Sequence, residues 1–227
     1  MAENINHFLI TRTCSTGGKH AYFRAIRAFI GWLIRYDYLQ DNPLTKIDPP
    51  KPGKRILPSL TREQVEYLME RVDNVRDKVI IALLNDSGIR LGELANIQAR
   101  NISWEHNTVT VWGKGSKQRK APFTERTATL LKQYISQDET GGNIWGINAN
   151  GIRTMLRRLA QDTGLPCNPH TFRRTFASNL HRAGMDIEHI MRLGGWESLD
   201  MVIRYTRSVK FEESLEHYHR IANGASI

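Results

Sequence analysis

Near its C-terminus the chain reads "GGWESLDMVIRYTRS", residues 194 to 208, which puts Trp196 and Tyr205 nine positions apart beside an arginine. A tyrosine there is either a half-buried aromatic of a terminal helix or a nucleophile, and the stretch alone does not decide. Upstream, "PHTFRRTFASNL", residues 169 to 180, spaces His170 and Arg173 three apart, so a helix would show both on one face. An imidazole beside a guanidinium suits a phosphodiester: one moves a proton, the other forks onto non-bridging oxygens. The plainer reading is a basic helix packed by Phe172, Phe176 and Leu180.

Two further clusters are cationic. In "SGIRLGEL", residues 87 to 94, Arg90 follows a glycine turn and opens a helix, with Glu93 one turn on. In "GKGSKQRK", residues 113 to 120, Lys114 sits between glycines at a hairpin tip, and Lys117, Arg119 and Lys120 add a field suited to a phosphate backbone. Separately, these are a helix-start arginine paired with its own glutamate and a solvated hairpin. The hairpin lacks the spacing of a nucleotide-binding loop.

Taken in order, Arg90, Lys114, His170, Arg173, Trp196 and Tyr205 resemble the tyrosine recombinases, the phage-type integrases and their chromosomal relatives. In that family an arginine follows "SG-x", a lysine occupies a "GKG" turn, an "H-x-x-R" helix follows, and a His or Trp precedes the tyrosine by nine. The resemblance runs from about Phe23 to the C-terminus. It implies that Tyr205 attacks a DNA phosphate to leave a 3′-phosphotyrosyl link, without metal, ATP or other cofactor. It further implies that Arg90 and Arg173 grip the non-bridging oxygens, His170 is the general base and Lys114 protonates the departing 5′-oxygen. Trp196 would donate its indole N–H to the phosphate, and Glu93 would orient neighbouring cations. Most of the family has histidine where Trp196 stands, and an indole cannot shuttle a proton. The family acts as a homotetramer on two DNA duplexes. The rival readings are a type IB topoisomerase, with the same chemistry but no site preference, and a catalytically silent DNA-binding scaffold.

These groups need elements to position them. Residues 20 to 39 place Phe23, Ile26, Ile30, Leu33 and Ile34 at helical spacing, with Arg24, Arg27 and Arg35 between them. With Arg174, the basic residues Arg24, Arg27, Lys117, Arg119 and Lys120 make up the expected DNA-binding set. The linker "DPPKPGKRILP" then divides a helical N-terminal core-binding region, residues 1–48, from a catalytic domain, residues 59–227; residues 49–58 are the join. The N-terminal region is about two helices shorter than the family's usual core-binding domain.

In the second domain "TREQ" from Thr61 is a capping box. Helical periodicity is read at 76 to 86, 124 to 136, 150 to 162, 170 to 182, 186 to 193 and 199 to 206, and β-branched alternation on both sides of "GKGS" predicts a hairpin. A last amphipathic stretch puts Phe211, Leu215, Tyr218 and Ala222 on one face. It resembles the family's C-terminal helix, which docks on a neighbouring subunit; packing within its own chain is the alternative. The fold class expected is mainly α with a small antiparallel sheet (α+β).

Composition agrees with a polyanionic partner. Among 227 residues, 32 Lys and Arg against 23 Asp and Glu give a net charge of +9, and the pI is near 9.8. No apolar run is long enough to span a membrane, and the N-terminus does not read as a secretory signal. Two cysteines, Cys14 and Cys167, fit a reducing cytoplasm, and the histidines show no metal-ligand spacing. A cytoplasmic protein of prokaryotic, phage or mobile-element origin is expected, bound to double-stranded DNA.

Overall fold

The computed structural model describes residues 1–51, 53, 58–113, 118–135, 142–206 and 211–224. Two compact units result, Met1–Arg55 and Ile56–Ile227.

The first unit holds α1 (Ala2–Thr11), α2 (Thr16–Arg35) and a 3-10 turn, Pro43–Lys46. Ser15 caps α2 by accepting from the Gly18 N–H. The helix stops at Arg35 rather than 39, because the chain reverses through Asp37 at φ +59°, a conformation Asp tolerates better than bulky residues. Phe23 and Ile30 bury the apolar stripe of α2 against Leu9, Leu44 and Ile47. Helix α1 is an addition to those that periodicity predicts.

In the second unit α3 (Arg62–Glu70) begins with the expected reciprocal box between Thr61 and Gln64. Next come α4 (Val75–Ser87) and α5 (Leu91–Ala95). The core surrounds α4, whose residues Val79 to Leu84 are all buried. A sheet follows: β1 (Ile102–Ser103), β2 (Thr108–Trp112) and β3 (Gln118–Pro122), antiparallel in that order. The hairpin matches expectation; the short β1 is an addition.

Register explains which hairpin side chains go inward. Val109 opposes Ala121 and Val111 opposes Arg119. Val109, Val111 and Ala121 are buried, so the two-residue pleat turns Arg119 inward with them and Lys120 outward.

The remaining helices are α6 (Glu125–Ile135), α7 (Ala149–Thr163), α8 (Pro169–Arg182), α9 (Ile187–Gly194), α10 (Leu199–Thr206) and α11 (Phe211–Gly224). A smaller apolar cluster of Phe176, Ala177, Ile190, Trp196 and Val202 fastens α8, α9 and α10 together. No helix among the described residues is long and apolar enough to cross a membrane.

Candidate active site

The C-terminal end of α9 organises the site. A helix leaves its last carbonyls without intrahelical donors, and they carry partial negative charge. Here the chain turns through Gly195 at φ +62°, with Gly195 N–H returning to the Arg192 carbonyl and Trp196 N–H to that of Met191. Three arginines take the next three carbonyls. Arg119 Nη1 donates to Leu193 O at 2.9 Å, Arg173 Nη2 to Gly194 O at 2.6 Å, and Arg90 Nη2 to Gly195 O at 2.7 Å.

Glycines permit this approach. A Cβ at Gly194 would fall 1.9 Å from Trp196 Cζ3, and one at Gly195 would fall 2.5 Å from Arg119 Cδ. Gly88, at φ +53°, ends α4 against Phe176 and presents its carbonyl to Arg173 Nη1.

Glu93 joins two of the cations. Its Oε1 accepts from Arg90 Nη1 at 2.7 Å and its Oε2 from Arg119 Nη2 at 2.8 Å and from the Arg90 N–H at 3.0 Å. Burial acts to raise its carboxyl pKa. The Arg119 charge and the hydrogen bonds from Arg90 and Arg119 outweigh burial, so the pKa lies below the usual carboxylate value.

Arg173 is 4% exposed. Burial, with the nearby charges of Arg90 and Arg119, pushes its guanidinium down to about 9, still well above neutrality. Its Cζ lies 4.2 Å from the centre of the Trp196 ring, a cation–π contact. A buried cation held by carbonyls and an aromatic face is suited to receive an anion.

One cavity of about 300 Å³ is lined by Arg90, His170, Arg173 and Tyr205, with Arg153, Met201 and Leu91 at its walls. His170 is exposed in the first turn of α8, one turn before Arg173. Tyr205 is half-buried on α10; its ring centre lies 5.6 Å from that of Trp196, and its backbone carbonyl accepts from Ser178 Oγ at 2.9 Å. Three separate segments thus bring an imidazole, a phenol and two guanidiniums to one space.

The other expected residues lie outside the lining of this cavity or outside the described residues. Trp196 lines an adjoining cavity of about 430 Å³ with Arg90, Glu93 and Arg119, and its buried indole N–H has no acceptor among the described residues. Lys114 and Lys117 lie outside the described residues. Arg24, Arg27 and Lys120 are exposed.

Two members of the expected DNA-binding set are largely drawn into the fold. Arg119 faces inward, for the reason of register given above. Arg174 is 8% exposed and donates through Nε to Pro58 O at 3.2 Å and through Nη2 to Thr171 Oγ1 at 2.9 Å. It faces the core side of α8, where it ties down the start of the second unit. Conversely, sequence reasoning missed Arg153 as a wall of the cavity. Its only signal is a place on the basic face of α7. Among the described residues no group of three His, Cys, Asp or Glu side chains could hold a metal ion.

Comparison with known proteins gives a consistent result. Residues 58–212 match the phage integrase family. Tyrosine recombinase XerC of Staphylococcus aureus is 31% identical over 223 residues, covering 90% of this chain and 75% of the relative. XerC of Bacillus subtilis is 30% identical over 211 residues, covering 82% and 68%. Among solved structures, the XerH site-specific recombinase bound to palindromic difH substrate superposes with a TM-score of 0.79 at 19% identity, covering 98% of this chain and 72% of that one. The Tn1549 transposon integrase in complex with a circular intermediate DNA gives 0.76 at 16%, covering 97% and 85%. The chain belongs to the phage integrase family, the tyrosine recombinases.

Proposed function

We propose that this chain is a site-specific DNA recombinase that breaks and rejoins strands through Tyr205. The observation that carries the reading is the single cavity shared by Arg90, His170, Arg173 and Tyr205. The phenol oxygen attacks the scissile phosphorus, a P–O bond to Tyr205 forms, and the bond to the 5′-oxygen breaks. His170 accepts the phenolic proton, since a phenol is a weak nucleophile until a base removes it. Lys114 gives a proton to the departing 5′-oxygen. Arg90 and Arg173 hold the non-bridging oxygens, and their attraction is strongest when the pentacoordinate phosphorus carries its extra charge. Because the phosphotyrosyl ester keeps the energy of the broken phosphodiester, a 5′-hydroxyl from another strand can reverse the step without nucleotide hydrolysis.

Trp196 holds the guanidinium of Arg173 and the ring of Tyr205 in register, and its indole N–H, unpartnered among the described residues, is available to a phosphate oxygen. Arg24, Arg27 and Lys120 meet the DNA backbone. The natural assembly is a homotetramer on two duplexes, working in the cytoplasm. In support, α11 leaves Phe211, Leu215, Tyr218 and Ile221 exposed, which gives it an apolar side to lay on a neighbouring copy.

The test uses nicked duplexes of randomised sequence, from which the cleaved fragment diffuses away so that the covalent intermediate accumulates. Wild type should give protein–DNA adducts that survive SDS, and Tyr205→Phe none. Sequencing the trapped DNA should return a narrow site; a broad spectrum would indicate a topoisomerase instead.

A further inference from the structure

Arg119 stands on β3 opposite Val111, turned by the pleat to the interior. A cation in that position must find partners, because an unpaired buried charge is strongly destabilising. It finds two. Nη2 donates to Glu93 Oε2, and Nη1 to Leu193 O. Each leads to a group that the proposed chemistry uses: the other oxygen of Glu93 holds Arg90, and the carbonyls after Leu193 hold Arg173 and then Arg90. Aligning both Nη groups leaves Arg119 Nε buried with no acceptor among the described residues. An arginine packed for its own stability would be expected to satisfy that donor.

We propose that Arg119 is a positioning residue for strand cleavage. It fixes Arg90 through Glu93, and fixes the carbonyls that hold Arg90 and Arg173 through the end of α9, without itself touching the phosphate. The inference rests on the functional reading above, in which Arg90 and Arg173 bind the scissile phosphate.

The physical consequence of removing Arg119 is specific. Glu93, with one cation instead of two, would draw Arg90 into a two-pronged pair and off the Gly195 carbonyl. Leu193 O would lose its donor, and the Gly194–Gly195 turn would lose the arginine stem that closes against it. Both anchors of the phosphate-gripping pair would move together. A displacement of about 1 Å in such a pair costs on the order of 100-fold in rate.

The experiment measures single-turnover cleavage of a nicked duplex carrying the sequence trapped by the wild type. Arg119→Ala and Arg119→Lys are tested alone and combined with Arg90→Ala. Lysine keeps the charge beside Glu93 and much of the volume, but a point donor cannot span Glu93 and Leu193 O. Both variants should cleave about 10- to 100-fold more slowly with DNA affinity unchanged. In the Arg90→Ala background the same substitutions should cost clearly less than they do alone, since the route through Glu93 is gone and only that through the Gly194 carbonyl and Arg173 remains.

Wild-type rates in the Arg119 variants would overturn the inference, as would losses that multiply fully with that of Arg90→Ala. A loss of DNA affinity matching the loss of rate would also overturn it, marking Arg119 as a phosphate contact. Should Arg119→Ala fail to fold, the Arg119→Lys cycle decides. Absence of any wild-type adduct would bring down the functional reading and this inference with it. A wild-type adduct with unimpaired Arg119 variants would bring down the inference alone.

Discussion

Arg90 and Arg173 donate to neighbouring carbonyls of one turn, those of Gly195 and Gly194, at 2.7 and 2.6 Å. Two like charges are thereby held close before any phosphate arrives, their repulsion offset by Glu93 and by the negative end of α9. A guanidinium has five N–H donors, so this anchoring leaves further donors for a substrate. Pre-set donors of this kind stabilise developing charge without reorganising at the moment of reaction.

Arg173→Lys should therefore retain a positive charge and still fail. An ammonium cannot reach the Gly88 and Gly194 carbonyls in the manner of a planar fork. Adduct formation should fall about 100- to 1,000-fold. Leaving a buried carbonyl without a donor should cost about 1–3 kcal/mol in urea unfolding. Near-normal cleavage by this variant would contradict the anchoring scheme.

The glycines of the turn supply a second prediction. Gly194→Ala and Gly195→Ala must each displace a side chain, and each should lose about 1–3 kcal/mol of stability. Gly31, inside α2, provides the contrast, because a Cβ there would meet no atom within 4 Å. Gly31→Ala should stabilise its unit by about 0.5–1 kcal/mol. Denaturant titration of the three variants checks the order.

Exposed and buried basic residues should separate by salt dependence. Arg24→Ala, Arg27→Ala and Lys120→Ala should each weaken DNA binding and lower the slope of log K against log salt by about 0.9 for every phosphate no longer neutralised. Arg174→Ala should instead lower the melting temperature, because its removal strands the Pro58 carbonyl and the Thr171 hydroxyl. Filter binding at several salt concentrations, beside thermal melts, distinguishes the two classes.

These contrasts mark how far the sequence could be read. The helix stripes, the Thr61 capping box and the hairpin were legible because each rests on local periodicity or on a single turn of chain. The four groups that line one cavity, Arg90, His170, Arg173 and Tyr205, could be picked out too, since their types and order carry the resemblance. The direction in which Arg119 and Arg174 face was not legible from charge alone, which assigns basic residues to the surface by type. For Arg119 a signal existed: Arg119, Ala121 and Phe123 alternate on one side of a strand, which marks an inward face. Arg174 had no such signal, because its partners lie at Pro58 and Thr171, and only tertiary packing brings the first of these near. The role of the α9 terminus was equally hidden, being made of backbone carbonyls.

Cys167 gives a prediction about pH. Its thiol is buried, and burial pushes its pKa from 9.0 up to about 12. Below pH 9 both folded and unfolded chains keep the proton, and the contribution to stability is full. Between pH 9 and about 12 the unfolded chain releases its proton while the fold retains it, so stability falls with rising pH by up to about 1.4 kcal/mol per unit. Cys167→Ala should remove that part of the slope. In the native protein near pH 8, iodoacetamide should label the exposed Cys14 and spare Cys167, as peptide mass spectrometry would show.

Removal of residues 211–224 tests the assembly. Cleavage of a nicked duplex by a single bound copy should persist, whereas exchange between two duplexes should be lost. Sedimentation on paired sites should show the larger complex only for the intact chain. Unimpaired exchange by the shortened protein would count against docking through α11.

The acceptors that gather Arg119, Arg173 and Arg90 are peptide carbonyls, and this shapes how the site can vary. No side-chain replacement at Leu193 deletes the oxygen that Arg119 uses, so the anchor is indifferent to most changes in its own residue. Vulnerability shifts to the three donors and to Gly194 and Gly195, where any added carbon intrudes. A saturation scan across residues 192–195 should accordingly be permissive at Arg192 and Leu193 and intolerant at Gly194 and Gly195, where a missing Cβ makes the room.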